Sequence, residues 1–157
     1  MASEQEIQAA SLNVFPSGKG LPAGKGTARQ GKLVYDARCA ECHGPRGEGK
    51  DPYPPLAGGV GSLATDHPLP TVNAYWPYAT SVWDYVRRAM PYEHPGTLTA
   101  DQVYSVTGFI LSLDRIVAED EVLDRESLPR VQMPNRDGFI PDPRPPDLPS
   151  GAPGRGR

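Results

Sequence analysis

Both cysteines of the chain lie in one short run, Cys39-Ala40-Glu41-Cys42-His43, and nothing else in the sequence constrains the fold as strongly. Two thiols in 157 residues cannot form a disulfide framework. A structural zinc site needs four ligands, usually from two such pairs, and there is no second pair. A dithiol redox centre belongs in a βαβ setting, and no alternation of period two is visible along the chain. Covalent attachment of haem c remains. Thiols two residues apart at a helix end can each add to a vinyl group on neighbouring pyrrole rings. The histidine beside the second thiol then reaches the iron from the proximal side. One covalent haem c, held by Cys39, Cys42 and His43, is the expectation.

Composition makes such a group necessary. With 19 prolines, 17 glycines and 8% aromatic residues, a large hydrophobic core is hard to build. Chains this poor in core residues rely on a disulfide network, a metal or a cofactor. The 16 basic and 19 acidic residues form no basic stripe, so nucleic acid is not an expected partner. No apolar run approaches the ~20 residues of a membrane span, and "MASEQEIQAA" shows no signal peptide.

Three segments separate by composition. Residues 1–26 read as a polar, glycine-rich N-terminal extension, and residues 27–114 as the haem domain. Residues 115–157 read as a tail wrapping that domain and frayed at its end; eight prolines after Leu128 forbid regular helix there. Three helices are predicted, so the class is all-α. Thr27 with Gln30 forms a capping box, followed by Leu33, Val34 and Ala37 on one face. Thr99 with Gln102 forms another, followed by Val103, Val106, Ile110 and Leu113. Between them Ser81 with Asp84 opens a helix carrying Val82, Trp83 and Val86, which Pro91 ends. Residues 44–80 read as loop, tolerable in a compact domain only if packed on something other than protein. The segment "GPRGEGK" lacks the Lys-Ser/Thr ending and following helix of a phosphate loop.

Further features resemble class I cytochromes c, in which the first and last helices cross at a small residue. Gly31 and Tyr35 lie on successive turns, facing Val106 and Phe109. The family's P-x-L-x-G loop is matched by Pro54, Leu56 and Gly58. That resemblance implies a hydrogen bond from His43 Nδ1–H to the Pro54 carbonyl, which would orient the ring. Met90, in an "MP" step before the cap of the last helix, is the implied distal ligand, with Met133 the alternative. A thioether there raises the potential relative to a second imidazole. His67 and His94 are read as loop surface.

The runs "YWPYATSVWDYVRRAMP", "LTADQVYSVTGFIL" and "MPNRDGF" are similar to the cytochrome subunits of bacterial molybdenum sulfite dehydrogenases. They also resemble the first haem domain of the sulfane dehydrogenase cytochrome subunit. The resemblance implies a periplasmic electron carrier that accepts electrons from a molybdenum sulfite or sulfane dehydrogenase subunit. It would pass them to a downstream cytochrome c or oxidase and would not itself be an enzyme. Periplasmic placement implies that a signal peptide has been removed or replaced. Tyr75, Trp76, Trp83 and Tyr85 are read as core around the ring, with Tyr75, Trp76 or Arg87 able to bond a haem propionate. The competing reading is a haem enzyme or gas-binding protein with an open distal site.

Overall fold

A computed structural model describes residues 13–140. The expectations placed on residues 1–12 and 141–157 lie outside the described residues. In chain order the elements are β1 (Lys25–Gly26), α1 (Ala28–Arg38), α2 (Ala40–His43), α3 (Val72–Tyr75), α4 (Ala79–Ala89), α5 (Ala100–Ser112) and β2 (Leu123–Asp124). Single 3-10 turns stand at Ser62–Ala64 and Leu128–Arg130. Helix dominates, in keeping with the all-α expectation. The exception to all-α is a two-residue antiparallel ribbon, Lys25 opposite Asp124 and Gly26 opposite Leu123.

Both capping boxes form. The Thr27 side chain accepts from the Gln30 N–H at 3.3 Å while Gln30 Oε1 accepts from the Thr27 N–H at 3.0 Å. Thr99 and Gln102 repeat the exchange at 3.3 and 2.9 Å. Each pair satisfies two of the N–H groups a helix start leaves open.

The face of α1 differs from the expectation. Leu33 is 73% exposed, Ala37 is exposed and Val34 is only half-buried. The buried residues are Ala28, Gly31 and Tyr35. Size decides this: α5 approaches so closely that a Cβ on Gly31 would fall on the Ser105 carbonyl and 2.9 Å from Phe109 Cβ. Tyr35 fills the space beside the crossing, its ring 4.8 Å from that of Phe109. The α1–α5 contact is the largest between elements. Helix α5 is buried without a break from Val103 to Leu111, because α1, α4 and the ribbon all pack on it.

Helix α4 starts at Ala79, before the expected Ser81, and its cap residue Tyr78 makes no side-chain capping hydrogen bond. Asp84 is engaged elsewhere, in an i,i+4 pair with Arg88 at 2.8 Å. Burial of Ala79 and Thr80 anchors the first turn without a polar cap. Pro91 ends the helix as expected, Met90 being its C-cap. After α5 the chain returns along the domain: β2 joins β1, and Leu128, Val131 and Met133 enter the core. Among the described residues no helix is long and apolar enough to cross a membrane.

Two interior phenols couple this packing to pH. Burial pushes the Tyr35 hydroxyl above its ordinary 10 and that of Tyr104 up to about 12. A pKa raised by folding gives stability that is complete below the unfolded value and is lost as pH rises through the folded one. The urea midpoint should therefore hold to about pH 10 and fall between pH 10 and about 12. Tyr104→Phe should flatten part of that decline. A midpoint insensitive to pH across this window would mean the phenols ionise within the folded protein.

Candidate haem-attachment site

The residues that could hold a haem are placed by α1 and α5 together. Cys39 is both the C-cap of α1 and the N-cap of α2, so the helix crossing at Gly31 sets where its thiol stands. Its N–H still bonds the Tyr35 carbonyl at 2.8 Å, and His43 N–H bonds the Cys39 carbonyl at 3.0 Å. The Tyr35 hydroxyl donates to the Gly44 carbonyl at 2.9 Å and closes the turn behind His43. Gly44 sits at φ 75°, a conformation unfavourable for other residues. Both cysteines are free and half-buried. Burial pushes the Cys39 thiol up to about 11, keeping it protonated at neutral pH.

Burial also lowers the pKa of His43, favouring the neutral imidazole that can ligate a metal. The bond expected from His43 Nδ1–H to the Pro54 carbonyl is not made: Nδ1 is buried without a partner. The loop is pinned elsewhere, with the N–H groups of Leu56 and Ala57 both donating to the Gly47 carbonyl, at 2.7 and 3.2 Å. Pro54 itself is exposed, and the nearest ring to His43 is that of Tyr53, 6.1 Å between centroids.

Met90 is half-buried at the end of α4, whereas Met133 is 3% exposed and packed into the core. Trp76 is half-buried and stands edge-on to Tyr85 at 5.5 Å. Tyr75 is exposed, edge-on to Phe139 at 5.3 Å, with its carbonyl accepting from Asn135 Nδ2 at 2.7 Å. Arg87 lies in the last turn of α4. Of the four aromatics read as core, only Trp83 is fully buried; Tyr75 and Tyr85 face outward. His67 and His94 are exposed, as expected.

These residues fit a haem. Two thiols and an imidazole with an unpartnered buried nitrogen stand on adjacent turns. Leu56, Trp76, Met90, Leu98 and Leu113 pack against the core yet keep part of their apolar surface open. Among the described residues no group of three or more His, Cys, Asp or Glu side chains gathers as an alternative metal site. Such a chain is a small helical protein built around a covalently attached porphyrin.

Comparison with known proteins agrees. The cytochrome c family model matches residues 28–114, and the chain belongs to that family, whose members bind covalently attached haem c. It is similar to the crystal structure of the sulfane dehydrogenase SoxCD from Paracoccus pantotrophus. The TM-score is 0.84 and the identity 38%, over 100% of this chain and 84% of that one. It is also 52% identical over 33 residues to cytochrome c-554(547) of Halothiobacillus neapolitanus. That stretch is 21% of this chain and only 36% of the relative.

Proposed function

We propose that the chain is a periplasmic electron carrier with one haem c. It takes electrons from a molybdenum sulfite or sulfane dehydrogenase subunit and passes them to a downstream cytochrome c or oxidase. The observation that supports this most is the likeness to SoxCD, which runs the whole length of the chain. It therefore includes the segment after residue 114, where the general family match ends. Residues 27–114 are the haem domain on this reading, and the described parts of residues 1–26 and 115–157 are an extension and a wrapping tail.

When bound, the haem supplies a one-electron couple. The chain's residues set its attachment and surroundings. Cys39 and Cys42 would hold it by thioether bonds, each thiol's sulfur and proton adding across a vinyl double bond. His43 and Met90 would ligate its iron. Met90 keeps open surface for a ligand, which the enclosed Met133 lacks. With His43 and Met90 as ligands the iron would have no open position, which favours outer-sphere electron transfer over binding of substrate. Trp76 and Arg87, both half-buried, are the candidates for holding a propionate; Tyr75 is the more exposed third.

The test is to mix the ferric protein with a sulfite- or sulfane-oxidising molybdenum dehydrogenase and its substrate in a stopped-flow spectrometer. Reduction of the haem at or above the turnover rate is expected, with no change in the ferrous spectrum under carbon monoxide. Failure to reduce, or ready carbon monoxide binding, would sink the carrier reading.

A further inference from the structure

The loop after His43 has almost no regular structure, yet at Gly58 both of its backbone groups are held by side chains. The Gly58 carbonyl accepts from the Thr71 hydroxyl at 2.6 Å. Its N–H donates to the Asp114 carboxylate, at 2.8 Å to Oδ2 and 3.1 Å to Oδ1. Gly58 sits at φ 89° with nothing within 4 Å of where a Cβ would stand, so its glycine serves backbone conformation and not space.

Asp114 also accepts from Asn73 Nδ2 at 2.7 Å, and the same nitrogen donates to the Ile110 carbonyl at 2.8 Å. Asn73 is fully buried. Its amide cannot be reversed, because that would turn its oxygen onto two other oxygens. The Asn73 N–H bonds the Leu56 carbonyl at 3.2 Å, and Thr71 caps α3 through the Ala74 N–H at 3.1 Å. One carboxylate thus ties together the loop at Leu56–Gly58, the start of α3 and the end of α5.

The position of that carboxylate argues for a purpose. It follows the C-cap of α5 directly, where the helix dipole disfavours negative charge. It is partly buried and has no ion-pair partner among the described residues. Only N–H donors hold it, and charge-assisted bonds of this kind are roughly twice as strong as neutral ones. The loop it holds runs back along the turn that follows His43: Gly49 N–H bonds the His43 carbonyl at 2.9 Å, and Leu56 N–H bonds Gly47. Because α5 also carries α1 at the Gly31 crossing, it bears both the Cys39–His43 turn and the loop facing it.

Resting on the haem reading above, we propose that Asp114 is a positioning residue for the haem. It locks the His43-side wall at Leu56–Gly58 to α5 and so fixes how far water reaches that side of the iron. Asp114→Asn keeps an oxygen where Gly58 and Asn73 need one but removes the charge. Asp114→Ala removes both, and Asp114→Glu keeps the charge but displaces it by a methylene.

The readouts, on the haem-loaded chain, are the reduction potential by protein-film voltammetry and hydrogen exchange of the Gly58 amide. Asp114→Ala should lower the potential and speed Gly58 exchange at least ~10-fold, the loss of a bond worth about 1.4 kcal/mol or more. Asp114→Asn, whose neutral oxygen accepts the same bonds more weakly, should shift both by clearly less than alanine does. Should the alanine variant fail to accumulate, Asp114→Glu should shift both in the same direction to a smaller extent. An unchanged alanine variant overturns the proposal, as does an asparagine variant shifted as far as alanine, since charge would then be the lever. A glutamate variant matching wild type overturns it in the same way. Wild type purified without covalent haem would overturn this proposal and the haem reading together, whereas the other failures leave that reading standing.

Discussion

Gly31→Val should abolish the folded, haem-loaded protein, and Gly31→Ala should already lower the thermal midpoint. Intrinsic propensity argues the opposite, since alanine in a helix interior is better than glycine by about 1 kcal/mol. Packing decides the sign. A Cβ on Gly31 meets the Ser105 carbonyl and Phe109 Cβ, backbone and a buried side chain that cannot swing away. Overpacking of this kind costs about 1–3 kcal/mol for small additions and more when backbone must move. Against a total stability of roughly 5–15 kcal/mol, the valine variant has little left. Cys39 is the C-cap of α1, so pushing the helix off α5 also displaces that thiol from the Leu56–Gly58 loop held at the end of α5. Differential scanning calorimetry of the alanine variant should show a fall of about 2–4 °C per kcal/mol lost. The valine variant should yield no pigmented protein. Leu33→Ala, on the exposed side of the same helix, should leave the midpoint nearly unchanged. A rise in midpoint for Gly31→Ala would mean that the helices separate easily and that the crossing does not set the thiol's place.

What could be read from the sequence follows from the range of each interaction. The boxes at Thr27/Gln30 and Thr99/Gln102 are local, and both formed where expected. Ser81 with Asp84 has the same look but sits inside α4, because its first turn is anchored by tertiary burial of Ala79 and Thr80. On α1 the apolar stripe of Leu33, Val34 and Ala37 pointed to the wrong face; the glycine and tyrosine marking the true one were legible only through the family's crossing. The attachment run was plain at once, since its chemistry needs five consecutive residues. The Pro54 bond to His43 failed because a family pattern gives the loop's residues but not its pinning to Gly47. Nothing in the sequence singles out Asn73 or Asp114. They are 41 residues apart in sequence, and neither stands in a pattern until the fold brings them to Gly58.

The two methionines should respond in opposite ways. Met90 closes α4 with its backbone N–H spent on Val86 at 3.0 Å, and its side chain is only partly covered by protein. Met133 is enclosed in the core beside Leu128 and Val131. Met90→Ala should abolish the weak red sulfur-to-iron band of the ferric spectrum, lower the potential, and let carbon monoxide bind the ferrous form. Its cost in stability should be small, because a helix-end side chain with open surface leaves little cavity. Met133→Ala should keep the band and lose about 2–5 kcal/mol, the usual range for truncating a buried methionine. Spectra and urea titrations of the two variants therefore separate ligand from core. If Met133→Ala abolishes the band instead, the tail that follows β2 supplies the distal ligand, and the chain after residue 114 belongs to the site itself. A wild type without the band would have an open or nitrogen-ligated iron. The carrier reading would then give way to a protein that binds its ligand at the metal, because only a saturated iron restricts this fold to passing electrons through its edge.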